Sequence, residues 1–324
     1  MSLIVSVATA ILVGVGGVMV LFWLLNTAVE RLPERVEQRL KPYVFVGPAL
    51  AVVGLFLLFP ALDTVRRSFQ GPDSVDYVGL QNYEFLISNA SVREAIWNNL
   101  LWIVFVPAVS VAIGLAVAVL ADKLTARWEN VSKSMIFLPM AISFVGASTI
   151  WGFVYAWRVP GTEQIGVLNA IWTAFGGNPI PWLQDTRFND FALMFIMVWL
   201  QAGFAMVLLS AAIKNVPEDT LEAARIDGAS EMQVFWRVVL PQIKSTVVVV
   251  GTTILILVLK VFDIVFVMTN GNYGTEVIAN RFIKELFTFG QFGRAAVLVV
   301  FLILATIPFM VVNIRRFRQE EALR

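Results

Sequence analysis

Apolar runs about as long as a bilayer is thick alternate along this chain with short polar stretches. A helix needs about 20 apolar residues to cross the hydrocarbon core. Seven segments approach or exceed that length: residues 3–25, 43–62, 97–120, 135–157, 191–213, 246–268 and 295–312. The pattern predicts an all-α integral membrane protein with seven transmembrane helices. The first segment lacks a basic leader and a small-residue cleavage site, so it reads as a retained helix rather than a signal peptide.

One polar stretch is longer and more ordered than the rest. Residues 215–241 read NVPEDTLEAARIDGASEMQVFWRVVLP. Pro217 suits the first position of a helix, where a missing N–H is tolerated. Glu218 and Asp219 follow in the first turn, where the helix dipole favours negative charge. The helix should run to about Asp227, and Gly228 is placed to end it in the left-handed conformation. Ser230 and Gln233 have capping-box spacing for a second helix. Met232, Phe235, Val238 and Val239 recur at three and four, which predicts its apolar stripe. Pro241 falls where the chain re-enters the bilayer. The pattern alone fits either an amphipathic loop lying on the membrane or a platform for a soluble partner.

Composition narrows the chemistry. The chain is 58% hydrophobic and 15% charged, with no cysteine and no histidine, and its mean hydropathy is +0.78. Disulfides, thiolate or imidazole metal sites, and Ser/His or Cys/His catalytic pairs are thereby excluded. No phosphate-binding loop of the GxxxxGK[ST] type occurs, and no feature points to nucleic acid. A membrane enzyme would need a convergent acid/base set, and a channel would need a ring of charges or carbonyls. The sequence offers neither.

Charge placement sets the expected topology. Fifteen Lys and Arg fall in residues 26–42, 121–134, 214–244 and the tail after Val312, the last group being Arg315, Arg316, Arg318 and Arg324. Eight fall in the alternate connections. The N-terminus should therefore lie outside and the C-terminus inside, with residues 215–241 cytoplasmic. Two parts are expected: residues 1–42, a first span with a charged amphipathic linker along the interface, and residues 43–324, the six-span remainder.

Intramembrane ionisable residues are functional candidates by default. Lys260 and Asp263, three apart within one predicted span, should share a helix face. They could form a structural ion pair or a polar lining of a pathway. Asn98 and Asn99 read as polar residues satisfied at a membrane surface. The small residues Ala141, Ser143, Gly146, Ala147 and Ser148 predict close helix packing in the fourth span. The connection at residues 158–190 carries Trp172, Phe175, Gly176, Gly177, Pro179, Pro181 and Trp182. It fits an interfacial aromatic belt, a lid or a contact surface.

The stretch Glu222-Ala223-Ala224, Asp227-Gly228-Ala229, Phe235 and Leu240-Pro241 resembles, at matching spacing, the signature loop of permease subunits in binding-protein-dependent ABC importers. Tyr77-Val78-Gly79-Leu80 with Asn82-Tyr83 resembles a patch of carbohydrate permeases. Residues 271–287, followed by Phe292-Gly293-Arg294-Ala295-Ala296, are similar to alpha-glucoside permeases. The resemblance implies the type I importer permease fold, with residues 215–241 as the coupling helices that dock in an ATPase cleft. It implies ATPase-coupling roles for Glu222, Ala223, Ala224, Asp227, Gly228, Ala229, Phe235 and Pro241.

It further implies a sugar path, aligned from that loop, at Leu200, Gln201, Phe204, Ile254, Leu257, Val258 and Val261. Lys260 and Asp263 are its ionisable neighbours. Gln201 would hydrogen-bond a sugar and Phe204 would stack on it, whereas Ile254, Leu257, Val258 and Val261 are apolar where the maltose branch is polar. That departure allows the sugar to shift toward Gln201, Lys260 and Asp263, or to be held by a partner permease. The implied partners are a second permease, two cytoplasmic ATPase subunits that bind ATP and Mg, an extracytoplasmic sugar-binding protein and membrane lipid. This chain would hold no cofactor and catalyse nothing. The implied location is a bacterial or archaeal cytoplasmic membrane, and the implied cargo is an alpha-glucoside or glucosylated osmolyte. A same-family permease for a non-sugar solute is the alternative.

Overall fold

The computed structural model describes residues 2–322; Arg324, counted above among the tail charges, lies outside the described residues. The helices in chain order are α1 (Ser2–Glu30), α2 (Glu34–Val53), α3 (Phe59–Arg67), α4 (Gln81–Ser88), α5 (Ala90–Ala121), α6 (Ala126–Phe137), α7 (Phe144–Val154), α8 (Val167–Ala174), α9 (Asn189–Lys214), α10 (Glu218–Ile226), α11 (Glu231–Val234), α12 (Leu240–Gln242), α13 (Lys244–Leu259), α14 (Asp263–Met268), α15 (Ile278–Ile283) and α16 (Phe292–Ala322). The one β contact among the described residues is an isolated antiparallel bridge between Gln70 and Tyr77. The chain forms two compact units, residues 1–66 and 67–324.

In the first unit, α1 and α2 are joined by a turn whose Pro33 precedes Glu34 and Glu37 in the first turn of α2. The charged stretch expected as an interfacial linker is the start of α2, which continues through Pro42 and Pro48. Lys41 bonds Glu37 one turn back at 3.0 Å, an i,i+4 pair that supports a helix on the polar side of such a junction. A π-helical turn, Gly54–Leu58, joins α2 to α3. Phe22 of α1 stacks on Phe45 of α2 at 6.1 Å.

The second unit is organised around α5, α9 and α13. Its core includes Trp102 and Val106 of α5, Leu193, Met197, Leu200 and Leu209 of α9, and Ile254 and Val258 of α13. In lipid no hydrophobic force brings helices together, so close backbone approach through small residues matters most. Ser110, Gly114 and Ala118 recur at four along α5 and are all buried. A Cβ on Gly114 would sit 2.6 Å from Cβ of Ala205 and 2.7 Å from the Met206 backbone nitrogen. One tight seam thus lies between α5 and α9. A second lies where Gly203 of α9 meets the start of the expected fourth span, a Cβ there falling 2.7 Å from Phe137 Cα. In that span's own small-residue stretch, Ala147 and Ser148 are buried.

Two expected spans are not single helices. Residues 135–157 divide into α6, a 3-10 turn at Leu138–Ala141, and α7; the two helices are bent by 105°. Pro139 sits in the turn, and Ser143 caps α7 by accepting from the Gly146 N–H at 3.1 Å. Residues 246–268 divide at residues 260–262 into α13 and α14, with Lys260 closing one and Asp263 opening the other. A further bend, of 69°, separates the helical stretch Glu231–Gln242 from α13 (Lys244–Leu259). With five unbroken apolar helices, and this pair and the α6–α7 pair each taken as one span, the count reaches seven. Asn98 and Asn99 are buried staples rather than interface groups. Asn98 donates to Gly274 O at 2.7 Å and Glu276 O at 2.9 Å. Asn99 donates to Leu259 O, a carbonyl orphaned by the break, and accepts from Ile278 N. Asn82 of the carbohydrate-permease-like patch donates to Ser68 O and Gln70 O, and Tyr83 meets Ser68 at 2.7 Å. Those two residues therefore tie a loop down, with Gly79 turning before them at φ +59°.

Replacing Gly114 with Leu overpacks the α5–α9 seam, a change worth at least about 1–3 kcal/mol. Thermal unfolding of the purified protein should show a clearly lowered Tm; an unaltered Tm would refute the seam.

Candidate functional site

The polar stretch at residues 215–241 forms two helices across a sharp turn. Pro217 lies immediately before α10, whose first turn carries Glu218 and Asp219. The Ala229 N–H reaches back to Ala224 O and the Gly228 N–H to Arg225 O, both at 3.0 Å. That double bond pattern is a Schellman closure, and it requires a left-handed residue. Gly228 supplies it at φ +82°, with open space where a Cβ would be. The following helix starts with a complete capping box: Ser230 Oγ accepts from Gln233 N, and Gln233 Oε1 accepts from Ser230 N. Arg225 clamps the turn through two hydrogen bonds to Glu231, at 2.8 and 3.2 Å.

Behind this turn lies a small apolar cluster of Val216, Val234, Val239 and Ile243, with Ala224, Ala229 and Phe235 packed against it. A π-helical turn, Phe235–Val239, shifts the second helix's periodicity. Met232, expected on the buried stripe, is therefore exposed, and Val234 is buried instead. Glu222, Ala223, Asp227 and Pro241 face outward, and Ile226 is 85% exposed. A buried-from-behind, exposed-in-front helix pair has the build of a docking platform.

Sequence reasoning missed the charge cluster beneath it. Glu129 of α6 is nearly buried and takes Lys133 and Lys214, each at 2.5 Å. Lys133 also bonds Ser210 of α9, and Asp122 lies 3.9 Å from Lys214. The cluster gathers the ends of α6 and α9 with the residue just after α5, at the point where α9 leads into α10. Only the i,i+4 spacing of Glu129 and Lys133 signalled it.

At membrane depth, the two helix breaks meet. One cavity of about 380 Å³ is lined by Met140, Ile142, Ser143 and Phe144 from the first break, Leu200 and Gln201 from α9, and Leu257 and Asp263. A second, about 320 Å³, shares Phe144, Leu257 and Asp263 and adds Lys260, Val261 and Phe262. Such volumes match the ~300–1,000 Å³ of small-molecule sites. Irregular backbone at this depth is tolerated where it lines a cavity or is buried in protein.

Of the expected pathway residues, Leu200, Gln201, Leu257, Lys260, Val261 and Asp263 line these cavities. Ile254 and Val258 are packed in the core instead, and Phe204 lines neither cavity. Lys260 and Asp263 do not share a continuous helix face, because the chain breaks between them, and no ion pair joins them among the described residues. Their proximity to one cavity, rather than to one another, is what the fold provides.

Comparison with known proteins agrees with this geometry. Residues 110–316 match the family described as binding-protein-dependent transport system inner membrane component. The chain is 55% identical to the osmoprotective compounds uptake permease protein GgtC of Synechocystis sp., over 87% of this chain and 100% of that protein. It is 46% identical to the alpha-glucoside transport system permease protein AglF of Rhizobium meliloti, over 88% of this chain and 85% of that one. Its fold matches a subunit of a bacterial ABC transporter for alginate import, with a TM-score of 0.75 at 20% identity, covering 88% and 99% of the two chains. From the match over most of its length, the chain belongs to the inner-membrane components of binding-protein-dependent transport systems, the non-catalytic permease subunits of ABC importers.

Proposed function

We propose that this permease carries an alpha-glucoside or a glucosylated osmolyte into the cytoplasm through the cavities at its two helix breaks. The observation that carries the reading is shared helices. α9 and α13 line the cavities and also enter and leave the turn at residues 215–241. Gln201 lies thirteen residues before Lys214, about 20 Å along the helix at 1.5 Å per residue. Motion of α10 and α11 therefore reaches the cavity directly through α9, and through α13 across the 69° bend that follows α12.

In this reading, residues 215–241 face the cytoplasm, where the excess of Lys and Arg lies. The N-terminus is then outside and the C-terminus inside. Glu222, Ala223, Asp227 and Ile226 meet an ATPase cleft, while Ala224, Ala229 and Phe235 support them from below. Two ATPase subunits bind ATP and Mg, a second permease completes the pore, and an extracytoplasmic binding protein delivers the solute. ATP-driven closure of the ATPase pair swings the coupling helices, and the spans rock between inward-open and outward-open as rigid bodies. Ser143, Gln201 and Asp263 offer the hydrogen-bonding groups that a polyhydroxylated solute needs. The names of GgtC and AglF support the sugar-class reading. A charged solute is the second reading, favoured by the cavity-facing Lys260. Uptake of labelled alpha-glucosides, amino acids and oxyanions by the reconstituted complex separates the two.

Replacing Gln201 with Leu removes a buried hydrogen-bonding group, worth about 1–3 kcal/mol. Apparent KM for sugar uptake should rise roughly tenfold or more while complex assembly is retained; an unaltered KM and rate would take Gln201 out of the path. Replacing Gly228 with Val forces a β-branched residue into a left-handed conformation, a strain of about 1–3 kcal/mol. ATP hydrolysis should then proceed without uptake, in a complex that still reaches the membrane. Normal coupling in that variant would contradict the role of the turn.

A further inference from the structure

The short helix α8 is inside out for a segment in water. Its polar Asn169 is fully buried. The Asn169 amide donates to Ala156 O and Ile180 O, at 3.2 and 2.9 Å, and accepts from Ile180 N at 2.9 Å. Its neighbour Leu168 packs against the main core. The apolar residues point outward: Ile165, Val167 and Ile171 are each more than half exposed, and Phe175 is 85% exposed. Residues 164–184 contain no charged side chain.

The fold fixes the depth of this face. Tyr155, which closes α7, donates to Ala192 O in the first turn of α9 at 2.9 Å. The ends of two spans are thereby level, at the end of α9 opposite the coupling helices. The bond from Asn169 to Ala156 O holds α8 one residue beyond that level. Phe153, two residues before Tyr155 on α7, is itself 72% exposed. Charged residues resume at the flanks, with Glu163 before and the Asp185–Arg187 pair after. The hydrogen bond from Arg187 holds the Asp185 carboxyl down at about 2, so that flank stays ionised.

We propose that α8 is an interfacial membrane anchor, with Ile165, Val167, Ile171 and Phe175 inserted at the headgroup–acyl boundary of the outer leaflet. Two arguments favour lipid over protein. A protein interface carries about one hydrogen bond per 100–200 Å², and these four side chains offer no donor or acceptor. A binding protein also docks and departs in each cycle, which would return the face to water every time, whereas lipid is always present. An amphipathic helix of this kind buries its apolar face roughly 5–10 Å into the boundary. The outer-leaflet assignment rests on the orientation proposed above; insertion itself does not.

The cysteine-free sequence permits a single spin label in this chain. Phe175→Cys and Ala170→Cys, with Glu163→Cys as the aqueous reference, are labelled in the full importer complex reconstituted into phospholipid nanodiscs. Collision rates with oxygen and with a water-soluble nickel chelate are then compared. Labels at 175 and 170 should favour oxygen over nickel severalfold relative to 163, with or without the binding protein. A nickel preference at both positions would overturn the anchor. So would low collision rates with both reagents, which mean cover by a protein subunit, or protection that appears only when the binding protein is added. These readouts do not depend on transport, so they stand apart from whether the solute is a sugar.

Discussion

Lipid hydrocarbon offers nothing to hydrogen-bond, so each backbone amide within it must find a partner in the protein or in a watered cavity. Two spans here break that rule locally, at residues 138–143 and at 260–262. The fold answers in two ways. Some orphaned groups are capped: Ser143 accepts from Gly146 N, and Asn99 reaches the Leu259 carbonyl. The breaks also border adjoining cavities that share Phe144, Leu257 and Asp263, the first beside Gln201 and the second at Lys260, Val261 and Phe262. A broken helix is the feature by which a membrane protein can present polar groups to a solute at depth without exposing them to lipid.

Around that weak point the bundle is stiff. The α5–α9 seam leaves no room for a side chain at Gly114. At the end nearest α10 and α11, Glu129 gathers Lys133 and Lys214 and so links α6 to α9. The helix pair beyond is closed by the Gly228 turn, clamped by Arg225 and Glu231, and seated on its own apolar cluster. Rigid elements on either side of a cavity favour a two-position device over gradual deformation, as alternating access requires.

Much of this was legible in the sequence because it depends on local rules. Hydropathy located the spans, and the Pro217, Gly228 and Ser230–Gln233 signals located both helices of the stretch at residues 215–241. Features set by tertiary contacts were not legible. The break at residues 260–262 contains neither Pro nor Gly; it is held by Asn99, which lies far away in sequence. Pro139 marked the other break, but the long apolar run around it read as one helix. The π-helical turn at Phe235–Val239 moved Met232 out and Val234 in, since one wider turn resets a 3.6-residue stripe. Glu129 gained its second lysine only on folding. Of the candidate pathway, positions one turn apart on α13 parted company, with Leu257 at the cavity and Ile254 in the core, because the wall is made by the break rather than by the helix.

The central claim of the proposed function is that nucleotide state, read through residues 215–241, decides which side of the membrane reaches the cavity. A lone cysteine at Leu257 in the reconstituted complex, probed with a membrane-impermeant thiol reagent, tests it directly. The account predicts modification from the cytoplasmic side without nucleotide and from the opposite side when ATP is bound but not hydrolysed. Modification from the same side in both states would contradict it.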